Sequence, residues 1–469
     1  MERTLYPYII LSIFCFALLS CDTEEKTQEL ILDSEVIEKG NVERTYEKGK
    51  ILDPLSVDGR ALESYALYLP ESYFTGYTWP TIILLDPQGN GKKPVKLYKE
   101  LADAFGFILI GSNFSRNGKP INDVLAHIKA LKHDLPDGIK IDQFRIFTVG
   151  FSGGARVAVA DAMTNGDVAG VVGCGAGFPQ LKTDVELAFN YLAMVGKQDF
   201  NYSEFVVLDK ELSNRGSTHL LLEYGGKHEW PGPAQMVEAF KWMTVYSYSQ
   251  REVINMELMD SLHKEDEKRL IKLENTSDLR AIVQFYKKML AFYKGLANTK
   301  EQEKRYNMLL ESSSFKQYEK NLESILENEM SVRNKYAQAI PQNDEEWWAK
   351  EIGSIRAAIA NEADAELQMS KKRILAYLSL ASFLQADMAL NKDALPKTKK
   401  FLYILNLVDP QNPDYYYLSA RLSLKQGKNE AAVDLLKEAA KYGFDDWERV
   451  NKEREFDPIR SYLKSVDNF

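Results

Sequence analysis

The run Phe147-Thr148-Val149-Gly150-Phe151-Ser152-Gly153-Gly154 constrains this 469-residue chain more than any other segment. An apolar strand leads straight into Gly150-Phe151-Ser152-Gly153-Gly154, the G-x-S-x-G pattern. The glycines flanking the serine permit the sharp strand-to-helix turn of a nucleophile elbow, which holds a hydroxyl out above the end of a sheet. Alone, the pattern also suits a plain tight turn after a strand.

Two later segments separate these readings, because an elbow needs an acid and a histidine, in that order, each on a loop after its own strand. Tyr191-Leu192-Ala193-Met194-Val195-Gly196 reads as a buried strand, and Lys197-Gln198-Asp199 places a carboxylate just beyond it. Leu220-Leu221-Leu222-Glu223-Tyr224 reads as the next strand. The glycine-rich loop Gly225 to Pro231 then carries His228 ahead of an amphipathic helix through Met236, Phe240 and Met243. Ser152, Asp199 and His228 therefore fall on one edge of one sheet. A serine hydroxyl attacks only when an imidazole takes its proton, and the imidazole needs a carboxylate to fix its tautomer and stabilise its charge.

The chain has five histidines. His127 and His133 lie in a helical stretch, His219 opens a strand and His263 sits in a charged helix, so all four read as ordinary surface or half-buried residues. Acyl chemistry also needs two amides for a developing oxyanion. Gly153 offers the first. The strand Thr81-Ile82-Ile83-Leu84-Leu85 runs into Asp86-Pro87-Gln88-Gly89-Asn90-Gly91; Pro87 has no amide hydrogen, which leaves Gln88 or Gly89 as the second donor. The same loop is a poor phosphate cradle. No Lys-Ser or Lys-Thr follows in Walker spacing, and Gly91-Lys92-Lys93-Pro94 is expected to break a helix start.

On Ile141 to Gly154, the turn Gly196 to Asp199 and Gly226-Lys227-His228, the chain over about residues 40 to 250 resembles the α/β-hydrolase family, and within it esterases related to secreted polyester depolymerases and feruloyl esterases. The resemblance implies a doubly wound, mostly parallel sheet. It also implies Ser152 as nucleophile, His228 as general base, Asp199 as its orienting acid, and no cofactor. Where this family usually carries His-Gly in the oxyanion loop, this chain has Asp86-Pro87.

At the N-terminus, Arg3 precedes an apolar run from Ile9 to Leu19, the length of a signal-peptide core rather than a membrane span. Leu18-Leu19-Ser20-Cys21 matches the lipobox at which bacterial lipoproteins are cleaved and acylated, so residues 1–20 are expected to be removed and Cys21 lipidated. The polar, acidic stretch after Cys21, through residue 40, reads as a tether. It resembles the export signal of Bacteroidota-type surface lipoproteins. The expected location is the bacterial cell envelope, anchored to the outer membrane, periplasmic or surface-exposed. Loss of Cys15 and lipidation of Cys21 leave Cys174 as the lone thiol, with no partner for a disulfide.

Near residue 250 glycine nearly vanishes. From residue 251 to 369, Leu, Ile, Phe and Tyr recur every three or four positions among Lys and Glu, the pattern of long amphipathic helices. Over residues 370–469, Tyr416, Ala420, Gly427, Ala432, Leu436 and Ala439 follow tetratricopeptide spacing, in which small residues let two helices cross closely. Such a repeat serves equally as a partner-binding groove or as a packing module.

The net charge is −9, and no basic stripe appears, which argues against nucleic acid as a partner. No group of His, Cys and acidic residues has metal-ligand spacing. The reading is an anchored serine hydrolase of esters, with peptidase chemistry as the nearer rival. Short strand spacing within residues 155–190 leaves no large lid, which suits extended or polymeric esters. The alternative is a degenerate hydrolase scaffold that binds ligands or proteins through its helical repeats.

Overall fold

The computed structural model describes residues 46–57, 59–133, 139–179, 187–249 and 256–463; the expected signal peptide and tether, with Cys21, lie outside them. Eight strands form one sheet: β1 (Ile51–Val57), β2 (Arg60–Tyr68), β3 (Trp79–Leu85), β4 (Ile108–Ser112), β5 (Ile141–Phe151), β6 (Gly170–Cys174), β7 (Asn190–Gly196) and β8 (His219–Tyr224). Their order is β1-β2-β4-β3-β5-β6-β7-β8. The first two pairings are antiparallel and every pairing from β4 to β8 is parallel. Parallel strands are covered on both faces, which is why β3, β4 and β6 are buried along their whole length.

Alternate residues of these strands feed two cores. Ile83, Leu85, Ile110 and Val171 face α2 (Ile121–His133), α3 (Gly153–Thr164) and α4 (Tyr202–Asn214). Ile82, Leu84, Leu109 and Val172 face α1 (Lys92–Phe105) and α5 (Pro233–Ser249). This is the doubly wound, mostly parallel α/β architecture expected from the sequence. One detail differs: Lys92-Lys93-Pro94 starts α1 rather than breaking it. First-turn amides have no intrahelical acceptor, so Pro94 removes no bond there.

The remaining chain is helical: α6 (Met256–Glu274), α7 (Leu279–Tyr293), α8 (Lys300–Glu311), α9 (Ser313–Gln342), α10 (Glu345–Asn361), α11 (Ala365–Asn391), α12 (Leu395–Val408), α13 (Pro413–Lys425), α14 (Asn429–Lys441), α15 (Trp447–Lys452) and α16 (Arg460–Leu463). Side-chain caps set several starts. Asp278, Ser312, Asp344, Asp364 and Asn412 each accept a bond from an amide in the first turn that follows.

The change of composition at residue 250 marks a change of element class but not of core. Met259, Leu262, Met289, Phe292 and Tyr293 of α6 and α7 join the apolar layer of α1 and α5. The 30-residue α9 belongs to two cores: Leu322 and Leu326 pack with the α2–α4 layer, whereas Tyr336 and Ile340 pack with α10–α14. In the last core Ala420, Ala432 and Ala439 are fully buried where α13 meets α14. Helix α11 is long and apolar enough to cross a membrane, yet it packs against α9, α10, α12 and α13.

Candidate active site

Gly150, the last residue but one of β5, lies against α3, and a Cβ there would meet the Gly154 carbonyl oxygen at 2.1 Å. One on Gly154 would meet the Leu85 carbonyl oxygen at 2.0 Å. Both glycines are thus demanded by the approach of strand to helix. Between them Ser152 sits at φ 51° and ψ −120°, a strained backbone for a residue with a side chain. Its amide donates to the Cys174 carbonyl at 2.8 Å, which fixes the turn to β6.

The structure brings Ser152, His228 and Asp199 together. His228 Nε2 lies 3.0 Å from Ser152 Oγ, and its Nδ1 lies 3.0 and 2.9 Å from the two Asp199 carboxylate oxygens. A carboxylate can only accept, so Nδ1 carries the proton and Nε2 is left to accept from the serine hydroxyl. Asp199 is 1 % exposed and His228 18 %, so solvent reaches the imidazole edge and not its partner. Two rings clasp the imidazole: Phe200 at 4.2 Å and Phe151 at 4.8 Å between centroids.

The acid and histidine loops are also joined through their backbones. The Lys197 amide donates to Tyr224 at 2.8 Å and the Gln198 amide to Gly226 at 2.9 Å. Asp199 Oδ1 accepts from the Asn201 amide at 2.8 Å, and Asn201 Nδ2 donates to the Gly175 carbonyl at 2.8 Å.

The loop after β3 is organised around Asp86. Asp86 is buried, and burial raises its carboxyl pKa above the ordinary value, against the bonds that favour the ionised form. It accepts from Trp230 Nε1 at 2.8 Å and from the Gln88 amide at 2.9 Å, while the Gly89 amide donates to the Asp86 carbonyl at 3.1 Å. The amides of Gln88 and Gly89 are therefore directed into their own loop. The Gly153 amide opens α3, where no preceding helical carbonyl takes it.

Sequence reasoning passed over three features here. Asp86 ties the β3 loop to the histidine loop through Trp230. Phe200 is signalled by nothing beyond its position next to Asp199. The side chain of Asn117 occupies the space that a Cβ at Gly153 would need, with Oδ1 1.9 Å from that position. His127 also departs from the surface reading. It is fully buried, with Nε2 2.9 Å from Ser112 Oγ and Nδ1 2.8 Å from Glu63. Ser112 and His127 are closed to solvent while Glu63 reaches its edge, and Ser112 Oγ also accepts the amides of Phe114 and Ser115, so it fixes the turn carrying Asn117. His133 pairs with Asp167 at the surface, as an ordinary helix residue does. Among the described residues no group of three or more His, Cys, Asp or Glu could hold a metal ion.

No protein-family profile matches the chain, and no curated protein matches it by sequence. Several solved structures are similar to part of it. A fluorophosphonate-binding serine hydrolase of Staphylococcus aureus is 19 % identical with TM-score 0.33, over 39 % of this chain and 92 % of that one. An S-formylglutathione hydrolase of Staphylococcus aureus is 18 % identical with TM-score 0.32, over 39 % and 92 %. An esterase of Pyrobaculum calidifontis is 13 % identical with TM-score 0.36, over 43 % and 86 %.

Proposed function

We propose that the protein is a serine hydrolase that cleaves carboxylic esters through an acyl-enzyme on Ser152. The supporting observation is the hydrogen-bonded chain from Ser152 through His228 to a buried Asp199. In this reading His228 Nε2 takes the Ser152 proton as Oγ attacks the carbonyl, and the Asp199 carboxylate stabilises the imidazolium that forms. The imidazolium then protonates the departing alkoxide. In the second half the imidazole draws a proton from water, which attacks the acyl carbonyl, and Ser152 leaves with its proton restored.

The oxyanion would rest on the Gly153 amide. A second donor from Gln88 or Gly89 requires one of their bonds to Asp86 to be exchanged for the oxyanion; the Gly89 amide, which now meets only a neutral carbonyl, gains more from a negatively charged oxygen than the Gln88 amide, which already meets the Asp86 carboxyl group. Those same bonds are what favours the second reading, a degenerate scaffold acting through its helical repeats. Acyl nitrophenyl esters of graded chain length, given to the full-length protein, Ser152→Ala and His228→Ala, separate the readings. The enzyme reading expects turnover in the wild type that both variants lose, and a folded wild type inert to every ester supports the scaffold.

In the same reading the chain is a bacterial lipoprotein, cleaved before Cys21, lipidated there and held at the outer membrane, with extended or polymeric esters as substrates. The basis is the lipobox at residues 18–21. Metabolic labelling with palmitate should mark the wild type and leave Cys21→Ser unmarked.

A further inference from the structure

The helical region offers the acid loop two hydrogen bonds that the sheet region does not. Among the described residues, the donors to the carbonyls of Lys197 and Phe200, which flank Asp199, are two guanidiniums from beyond residue 300. Arg373 of α11 donates through Nη1 to Lys197 O at 2.9 Å, and Arg333 of α9 donates through Nη1 to Phe200 O at 2.8 Å.

Both arginines are built into place. Arg373 is 0 % exposed, lies 4.5 Å above the Tyr202 ring, and donates through Nε to Glu329 Oε2 at 2.9 Å; Glu329 is itself 1 % exposed. Arg333 lies 4.5 Å above the Tyr377 ring of α11. Burying the Arg373 and Glu329 charges is costly unless partners repay it, and here the partners include the backbone that presents the acid. Tyr202 extends the same contact inward, because its amide donates to the Asp199 carbonyl at 3.0 Å. The helices grip the adjoining strand as well. Arg280 of α7 pairs with the buried Glu223 at 2.7 Å, five residues before His228.

We propose that Arg373 and Arg333 are positioning residues for the Asp199 loop, so that α9 and α11 are part of the catalytic apparatus rather than an appended module. This rests on the serine-hydrolase reading above. Neither arginine touches the imidazole; each fixes a carbonyl within two residues of the acid, and with it the direction of the carboxylate and the Phe200 ring over His228. A loop free to shift by a fraction of an ångström keeps its fold and loses the alignment of Asp199 with Nδ1.

The test uses the full-length chain with Arg373→Met, Arg333→Met and the corresponding lysine variants, each checked for folding by circular dichroism. In Arg373→Met, kcat for a nitrophenyl ester should fall about ten- to a hundredfold while KM changes less than about threefold. Arg333→Met should show a smaller fall of the same kind. Lysine at either site, able to donate one bond to the carbonyl, should restore most of kcat. The downfield proton of the His228–Asp199 bond, assigned by its loss in His228→Ala, should weaken or vanish in the methionine variants.

A merely structural role lowers the melting temperature and leaves kcat of the folded fraction alone. Folded variants with kcat within about twofold of wild type, and with the downfield proton intact, overturn the proposal. If Arg373→Met does not fold, Arg333→Met decides on the same criteria, since Arg333 is only half-buried. If the wild type turns over no ester, the serine-hydrolase reading falls. The downfield proton still decides the clamp: its loss in the methionine variants supports positioning and its persistence refutes it.

Discussion

Ser152 and Asp199 approach the same imidazole to about the same distance, yet the chain holds them by opposite means. The serine turn is fixed mainly by its own glycines, Gly150 and Gly154, together with the Cys174 carbonyl on the adjoining strand. The acid loop is held partly by its own sheet and partly by Arg333 and Arg373, 134 and 174 positions further along the chain. Local enforcement depends on the absence of a side chain. Remote enforcement depends on buried charge, and so on a second core being folded.

The difference predicts where each half of the site breaks. Asp199→Asn preserves shape but lets Nδ1 face an amide, favouring the wrong tautomer, and should lower kcat by about 10³- to 10⁴-fold with the melting temperature little changed. Gly154→Ala should fail in the other sense. Its Cβ would meet a backbone oxygen at 2.0 Å, so calorimetry should find it destabilised by more than about 4 kcal/mol. Arg280→Met leaves the Glu223 carboxylate buried without its partner and should cost about 3–5 kcal/mol.

Asp86→Asn sharpens the comparison from the β3 side. The amide nitrogen must now face either the Trp230 indole N–H or the Gln88 amide, two donors that it cannot accept from, so one bond is lost, at a cost of about 1–3 kcal/mol. The pH dependence has a definite sign. Because burial raises the Asp86 pKa in the folded chain, its contribution favours folding below the unfolded value and fades as pH rises through the folded one. Asp86→Asn should lack that decline in a series of melts above pH 4. Smallest of all is the ion pair of Lys93 with Asp445 at 2.9 Å, with side chains 42 and 49 % exposed, where Lys93→Ala should cost under about 0.5 kcal/mol.

What the sequence made legible follows the same division. The elbow, the strand before Asp199 and the glycine-rich loop before His228 are written in contiguous residues, and the parallel sheet follows from strands buried on both faces. Arg333 and Arg373 look like solvated helix charges in sequence, because period 3.6 reports which face is polar and not which distant carbonyl that face meets. The same limit hid the burial of His127, whose partners Glu63 and Ser112 lie 64 and 15 positions away. The amides of Gln88 and Gly89 were assigned from loop position alone. Their direction depends on Asp86 accepting locally, as short acidic side chains in turns do. Composition likewise marked the helical onset at residue 250 but not that α6 and α7 complete a sheet-facing core.

The most direct test of the account is fluorophosphonate labelling of the full-length protein, read by intact mass and peptide mapping alongside Ser152→Ala and His228→Ala. The account predicts a single adduct on Ser152, absent from the first variant and at least about 10³-fold slower in the second. A folded wild type that stays unmodified, or an adduct on any other residue, would contradict it.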